Sequence, residues 1–294
     1  MGFDHGVMEA VQKLAVLGTG FMDGLFAAAT FLGEEVFLLV VVLSIYWAVD
    51  KRRGEYLLLS MYTAISSNGI LKDWLRRPRP FLTPGYEDLR YVRLEGPLVD
   101  TVHLAQSHSF PSGHAQCAGS LFSALWLSGR RRGRGALLAL GGTLLVMTSR
   151  VYLGVHFPTD TLAGALLGLL ASLVGWGLFQ RFYDHRLLLF GLAVALSSSA
   201  LLLNPSADTV KTLGLGAGAL LGLMLERSWV NFRVEGTVGG RILRVVLGAA
   251  VLMGVRGGLA LVFPRQLAFD ALRYALVGLT ATGLWPWCFQ KAGL

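Results

Sequence analysis

Ser149-Arg150-Val151-Tyr152-Leu153-Gly154-Val155-His156-Phe157-Pro158-Thr159-Asp160 separates two apolar runs, one entering from Leu137 and one leaving at Thr161. A proline suits the first turn of a helix, where its missing N–H is not needed, so the second run is expected to start as a helix at Pro158. Asp160 then falls in that first turn, four residues after His156 and within reach of the imidazole. A carboxylate on one ring nitrogen fixes the tautomer and frees the other as base or nucleophile. Arg150 adds a planar cation suited to phosphate oxygens. Alone, a His-x-x-x-Asp at a helix start is more often a capping arrangement. The stretch needs company elsewhere in the chain.

Composition supplies the setting. Of 294 residues, 54% are hydrophobic and only 15% are charged, against about 25% charged in a soluble domain. The chain is therefore read as an all-α polytopic membrane bundle whose 37 glycines allow close helix packing. Net charge is +8, but the basic residues are scattered between apolar spans. That pattern suits cytoplasmic loops and argues against a nucleic-acid partner. Cys117 and Cys288 each lie in an apolar stretch, which supports neither a disulfide framework nor a zinc site. The segment from Met1 to Glu9 is acidic and lacks the basic start of a secretory signal.

Outward from the quoted stretch, residues 7–32 mix apolar positions with Glu9, Lys13 and Asp23, and are expected to form an interfacial amphipathic helix. Spans are expected at Val36 to Val49, Tyr56 to Trp74, Pro111 to about Arg130, Leu137 to Val151 and Thr161 to Phe179. Four more follow near 187–203, 209–225, 242–262 and 267–288. A polar loop with His103 and His108 joins the second span to the third; both histidines are read as loop residues. By region, 1–33 is the interfacial part, 34–180 the core, and 181–294 a set of additional spans.

Charge sets the topology. Lys51 to Arg53 share a side with Arg130 to Arg134, Arg181, Arg186, Arg227, Arg233, Arg241 and Arg244, and together they are placed inside. Lys72 to Arg79 then lie outside, against the rule, and need another purpose. Ser112 to His114 and Arg150 to Asp160 fall on that same outer face. Lys72 and Arg76 share a helix face by their spacing, and the prolines after Arg77 stop the helix so that Arg79 folds back. Pro111-Ser112-Gly113-His114 opens a helix whose free N–H groups make an anion site, with Gly113 permitting close approach. Lys72, Arg79, Ser112, Gly113 and Arg150 would hold a phosphate that His114 and His156 bracket. Arg76 and Arg77 are read as headgroup contacts or a source of field, and Ser112 taken alone as a helix cap. Arg256 and Arg273, inside late apolar segments, remain unexplained charges.

These residues resemble the type 2 phosphatidic acid phosphatase (PAP2) superfamily. Lys72, six residues and Arg79-Pro80 match its first motif. Pro111 to His114 match the second, and Ser149-Arg150, His156 and Asp160 the third. The likeness covers about Val36 to Phe179. It implies His156 as a nucleophile forming a phosphohistidine, Asp160 as its orienting partner and His114 as the acid and later the base. It also implies phosphate binding by Lys72, Arg79, Ser112, Gly113 and Arg150, with no metal and no cofactor. The extra C-terminal spans, with Gly33-Glu34-Glu35-Val36-Phe37 before Tyr46-Trp47, resemble the sphingosine-phosphate phosphatase branch and its bacterial relatives. The expected substrate is an isoprenyl, glycerolipid or sphingoid phosphate or pyrophosphate at the bilayer surface. The expected location is a bacterial inner membrane with the site facing the periplasm or exterior, a eukaryotic endomembrane being the alternative. A phosphotransferase and a non-catalytic lipid-binding or transport protein are the alternatives. Oligomeric state is not legible.

Overall fold

The computed structural model describes residues 2–13, 20–86, 88–89, 107–129 and 132–294. His103 and most of the polar loop, residues 14–19, Arg130 and Arg131 lie outside the described residues. Within them the chain forms helices α1 (Phe3–Gln12), α2 (Phe21–Phe31), α3 (Glu35–Ala48), α4 (Lys51–Leu75), α5 (Gly113–Ser128) and α6 (Arg132–Tyr152). Then come α7 (Pro158–Arg181), α8 (Arg186–Ser197), α9 (Ala207–Leu225), α10 (Val238–Val262), α11 (Leu267–Leu279) and α12 (Trp285–Lys291).

Among the described residues, six stretches are long and apolar enough to cross a bilayer: Gly133–Tyr152, Pro158–Arg181, Tyr183–Leu203, Ala207–Val230, Val238–Val262 and Leu267–Lys291. The early part of the chain departs from expectation. In place of one amphipathic helix over 7–32 there are two, α1 and α2, the second starting after Gly20 at φ 83°, a backbone conformation natural to glycine. The expected first span, α3, has only 14 residues, about 21 Å against a hydrocarbon thickness of about 30 Å. It reaches spanning length only together with α2, from which it is bent by 47°. Helix α4 is long enough at 25 residues but carries Ser60, Ser66, Asn68 and Asp73, all buried within protein. Helix α5, at 16 residues, is likewise buried along Ala115 to Ala124. Protein surroundings, rather than lipid, satisfy these two helices.

The chain divides into two compact units, with boundaries inside α3, α4 and α7: residues 1–38 with 71–174, and 39–70 with 175–294. In the first unit α5 and α7 run parallel in close contact. A Cβ on Gly164 would strike the Ser112 carbonyl, and one on Gly168 the Gln116 carbonyl. This four-residue advance on both helices is the small-residue packing of membrane proteins. The Ser112 N–H donates to the Asp160 carbonyl at 3.0 Å, so the starts of α5 and α7 are joined through backbone. Phe26 with Tyr152, Leu153 and Val155, and Met8 with Val151 and Phe157, pack α2 and α1 against the end of α6 and the turn after it.

In the second unit α9 and α11 are parallel and equally close. Cβ atoms on Gly214, Gly218 and Gly222 would meet Ala271, Ala275 and Thr282 in turn. Polar atoms are satisfied internally. Trp47 Nε1 donates to the Ala281 carbonyl at 2.9 Å, Tyr62 and Ser197 hydroxyls meet at 2.6 Å, and Lys51 pairs with buried Glu226 at 2.5 Å.

Candidate active site

The whole candidate site belongs to the first unit. Helix α6 ends at Tyr152, Gly154 turns the chain at φ 72°, and Pro158 starts α7. The Val155 N–H donates to the Arg150 carbonyl at 3.2 Å, which closes the turn and puts His156 between the two helix ends. His156 is 1% exposed.

Its two ring nitrogens face different chemistry. Nε2 lies 3.1 Å from Arg79 Nη1. A guanidinium only donates, so this nitrogen carries the lone pair and Nδ1 carries the proton. Nδ1 lies 3.4 Å from Ser109 Oγ, which donates to Asp160 Oδ2 at 2.5 Å. Asp160 is itself 3.7 Å from Nδ1, within ion-pair range but outside hydrogen-bond range. The expected direct contact is thus relayed through a serine. Asp160 Oδ2 also accepts from the Phe157 N–H at 3.0 Å, so the carboxylate caps its own helix as well. Burial, then the charges of Arg79, Arg150, Lys72 and His114, hold the His156 imidazole well below its usual pKa. Lys72, Arg150 and His114 thus lie within electrostatic range of the ring.

Arg79 is 2% exposed and fully engaged. Besides His156 it donates to the Val155 carbonyl at 2.8 Å, to the Ser107 carbonyl at 3.1 Å and to Ser107 Oγ at 2.6 Å. Arg150, also buried, donates to Thr30 Oγ1 at 2.6 Å. Ser112 takes the N-cap position of α5, its Oγ accepting from the Ala115 N–H at 3.5 Å, and Gly113 and His114 form the first turn. His114 Nε2 lies 2.9 Å from Glu34 Oε1. Gly33 packs so tightly under that imidazole that a Cβ there would lie 3.0 Å from His114 Cβ. His108 sits in the loop, its pKa lowered by partial burial. Among the described residues no group of three or more His, Cys, Asp or Glu gathers as a metal site.

The family model of the PAP2 superfamily matches residues 54–184, and that of the PAP2 superfamily phosphatase transmembrane extension matches residues 210–294. Phosphatidylglycerophosphatase B of Bacillus subtilis is 32% identical over 60% of this chain and 86% of its own length. The chain belongs to the PAP2 superfamily. Sphingosine-1-phosphate phosphatase 1 of Mus musculus is 26% identical over 92% of this chain and 72% of its own. A putative undecaprenyl-diphosphatase of Escherichia coli, YbjG, is 26% identical over 56% of this chain and 83% of its own. The protein is accordingly an integral membrane phosphatase of the PAP2 type.

Several residues around this PAP2 site were not singled out from sequence. Arg77, read as a headgroup contact, turns inward: it donates to Asp160 Oδ1 at 2.6 Å, Thr159 Oγ1 at 2.8 Å and Asp4 Oδ2 at 2.9 Å, and lies 3.9 Å over the Phe157 ring. Asp4, read as part of an acidic terminus, also accepts from the Thr159 N–H at 3.0 Å and hydroxyl at 2.9 Å. Ser107, Ser109, Thr30 and Glu34 complete the surroundings. Of these, Asp4, Thr30 and Glu34 precede residue 54, where the PAP2 match begins.

Proposed function

We propose that the protein hydrolyses a lipid phosphomonoester or pyrophosphate through a phosphohistidine on His156. The observation that carries this reading is the divided imidazole: a lone pair at Nε2 beside Arg79, and a proton at Nδ1 relayed through Ser109 to Asp160. Nε2 attacks phosphorus as its bond to the leaving oxygen breaks, and His114 supplies the proton with which that oxygen departs, as an alcohol from a monoester or as a lipid monophosphate from a pyrophosphate. A water, giving its proton to His114, then attacks the phosphohistidine and releases phosphate and the imidazole. Asp160 stabilises the charge on His156 while the intermediate exists.

Lys72, Arg79, Arg150, the Ser112 hydroxyl and the first amides of α5 receive the oxygens on which charge accumulates, and such fixed donors are the main source of rate in phosphoryl transfer. The burial of Arg79 and Arg150 strengthens them, because each charge acts in a medium of low dielectric. The substrate is an amphiphile presented from the bilayer, as the names of the relatives indicate for those proteins. The site is assigned to the non-cytoplasmic face, because Lys72 to Arg79 oppose the basic loops, and the membrane to a bacterial inner membrane.

The test is phosphate release by the purified full chain from a panel of isoprenyl, glycerolipid and sphingoid phosphates. Turnover should persist in excess EDTA, stop with vanadate and vanish in His156→Ala. Undiminished turnover in that variant overturns the mechanism. Transfer of labelled phosphate to a second lipid instead of water would make the enzyme a phosphotransferase.

A further inference from the structure

The second unit contains a cavity of about 550 Å³ whose wall includes Lys211, Arg256, Arg265, Arg273, Asp270 and Tyr274. The cations come from three helices and a turn. Lys211 lies early in α9, Arg256 late in α10, Arg265 between α10 and α11, and Arg273 midway along α11. Two of them are balanced: Lys211 pairs with Asp208 at 3.1 Å, and Arg273 with Asp270 at 2.9 Å. Arg256 and Arg265 meet no carboxylate among the described residues. Four cations thus face two carboxylates at one end of this helix group.

Charge distribution deepens the problem. The opposite ends of α9 and α10 carry Arg227, Arg233, Arg241 and Arg244. One of the two basic ends must therefore lie outside the cytoplasm, where topology gives cations no advantage. Arg256 also sits six residues before the end of an apolar span, about 9 Å along the helix. Snorkelling accounts for one arginine at such a depth. It does not account for four cations converging on one cavity. Met253, Gly257 and Ala260 line the same cavity with small or apolar groups, so it offers basic side chains beside a surface suited to acyl chain.

We propose that this cavity is a phosphate-oxyanion site that holds the headgroup of an anionic, non-substrate lipid. Arg256 and Arg265 bind the oxyanion directly, the paired Lys211 and Arg273 add field, and the Tyr274 hydroxyl is available to donate. The starts of α9 and α11 point the positive ends of their dipoles to the same end of the group, in the same sense.

The test titrates the purified full chain in detergent with dihexanoyl phosphatidylglycerol, inorganic phosphate or dihexanoyl phosphatidylcholine, following heat released on binding. Phosphatidylglycerol is a diester and is not consumed by the proposed reaction, so binding is read without turnover. Each surface cation contributes about a fivefold factor toward an anionic headgroup, so Arg256→Gln/Arg265→Gln should bind phosphatidylglycerol roughly 30-fold more weakly. Arg256→Lys/Arg265→Lys should keep most of the binding, and added salt should weaken it in the wild type. Phosphate release from micellar substrate should be the same in all three proteins. If the double glutamine variant loses inorganic phosphate and phosphatidylglycerol alike, the oxyanion is the ligand and free phosphate also fills the site. If it binds both as the wild type does, or if phosphatidylcholine binds equally well, the proposal is overturned. A chain with no phosphatase turnover would still give this binding result, so the two readings fail separately.

Discussion

Arg77→Gln tests the inner organisation of the site. Arg77 is the cation on Asp160, 2.6 Å from Oδ1, and its other arm holds Asp4 at 2.9 Å. The glutamine removes the charge but keeps some hydrogen-bonding capacity. Removing one partner of a buried pair costs about 3–5 kcal/mol, but the Arg77 side chain is 32% exposed and screened on that side. A loss of about 1.5–3 kcal/mol, the range for hydrogen bonds to charged groups, is the better expectation. Part of it should appear as a lower melting temperature in detergent. The rest should reach His156 through Ser109, as a fall in kcat/KM of up to about tenfold, the equivalent of about 1.4 kcal/mol. The pH profile separates this from simple loosening. In the wild type, burial and neighbouring cations keep His156 neutral well below its usual range, so activity should persist as pH falls through about 6.5 and be lost only at more acid pH. Without Arg77 the Asp160 charge is less neutralised and favours the imidazolium, so the acid limb should move up, by about one unit if 1.4 kcal/mol is transmitted. Arg76, whose Nε donates to the Asp73 carbonyl at 2.8 Å, is the control, and Arg76→Gln should keep the wild-type limb. Arg77→Gln with unchanged kcat/KM and an unchanged acid limb would refute the assigned role.

Glu34→Gln removes the carboxylate 2.9 Å from His114; it should lower kcat about tenfold, with little change in KM, if Glu34 positions the acid. Steady-state kinetics on a single lipid phosphate decide this, and an unchanged kcat counts against it. Gly218→Ala would drive a Cβ into the Ala275 carbonyl and should destabilise the second unit by about 1–3 kcal/mol, read as a lower melting temperature; an unchanged melting temperature would contradict the close packing of α9 on α11.

What the sequence disclosed, and what it hid, divides along a physical line. Lys72, Arg79, His114, Arg150, His156 and Asp160 were legible because each sits at a fixed offset from a helix end, where spacing alone sets direction. Pro158 starting α7 and Ser112 capping α5 are local chemistry of the same kind. Asp4, Thr30, Glu34, Ser107 and Ser109 reach the site across loops or from other helices, and no offset within the sequence encodes such contacts. Arg77 shows how narrow the margin is. Arg76 takes φ 49° just past the end of α4, and neighbours in a helix-like pattern of basic residues then do different work: one caps a backbone carbonyl while the other enters the active site. Asp160 stays 3.7 Å from His156 Nδ1, in ion-pair range but short of a direct hydrogen bond, for a related reason. The first-turn carboxylate is drawn to the Phe157 N–H and Arg77, and a serine from a distant loop fills the remaining gap. The proposed phosphate ligands are thus set by local spacing, whereas most of the groups around the proposed nucleophile come from tertiary contacts. Substitutions at Arg77, Asp4 and Ser109 should therefore alter the pH dependence of turnover more than the affinity for phosphate.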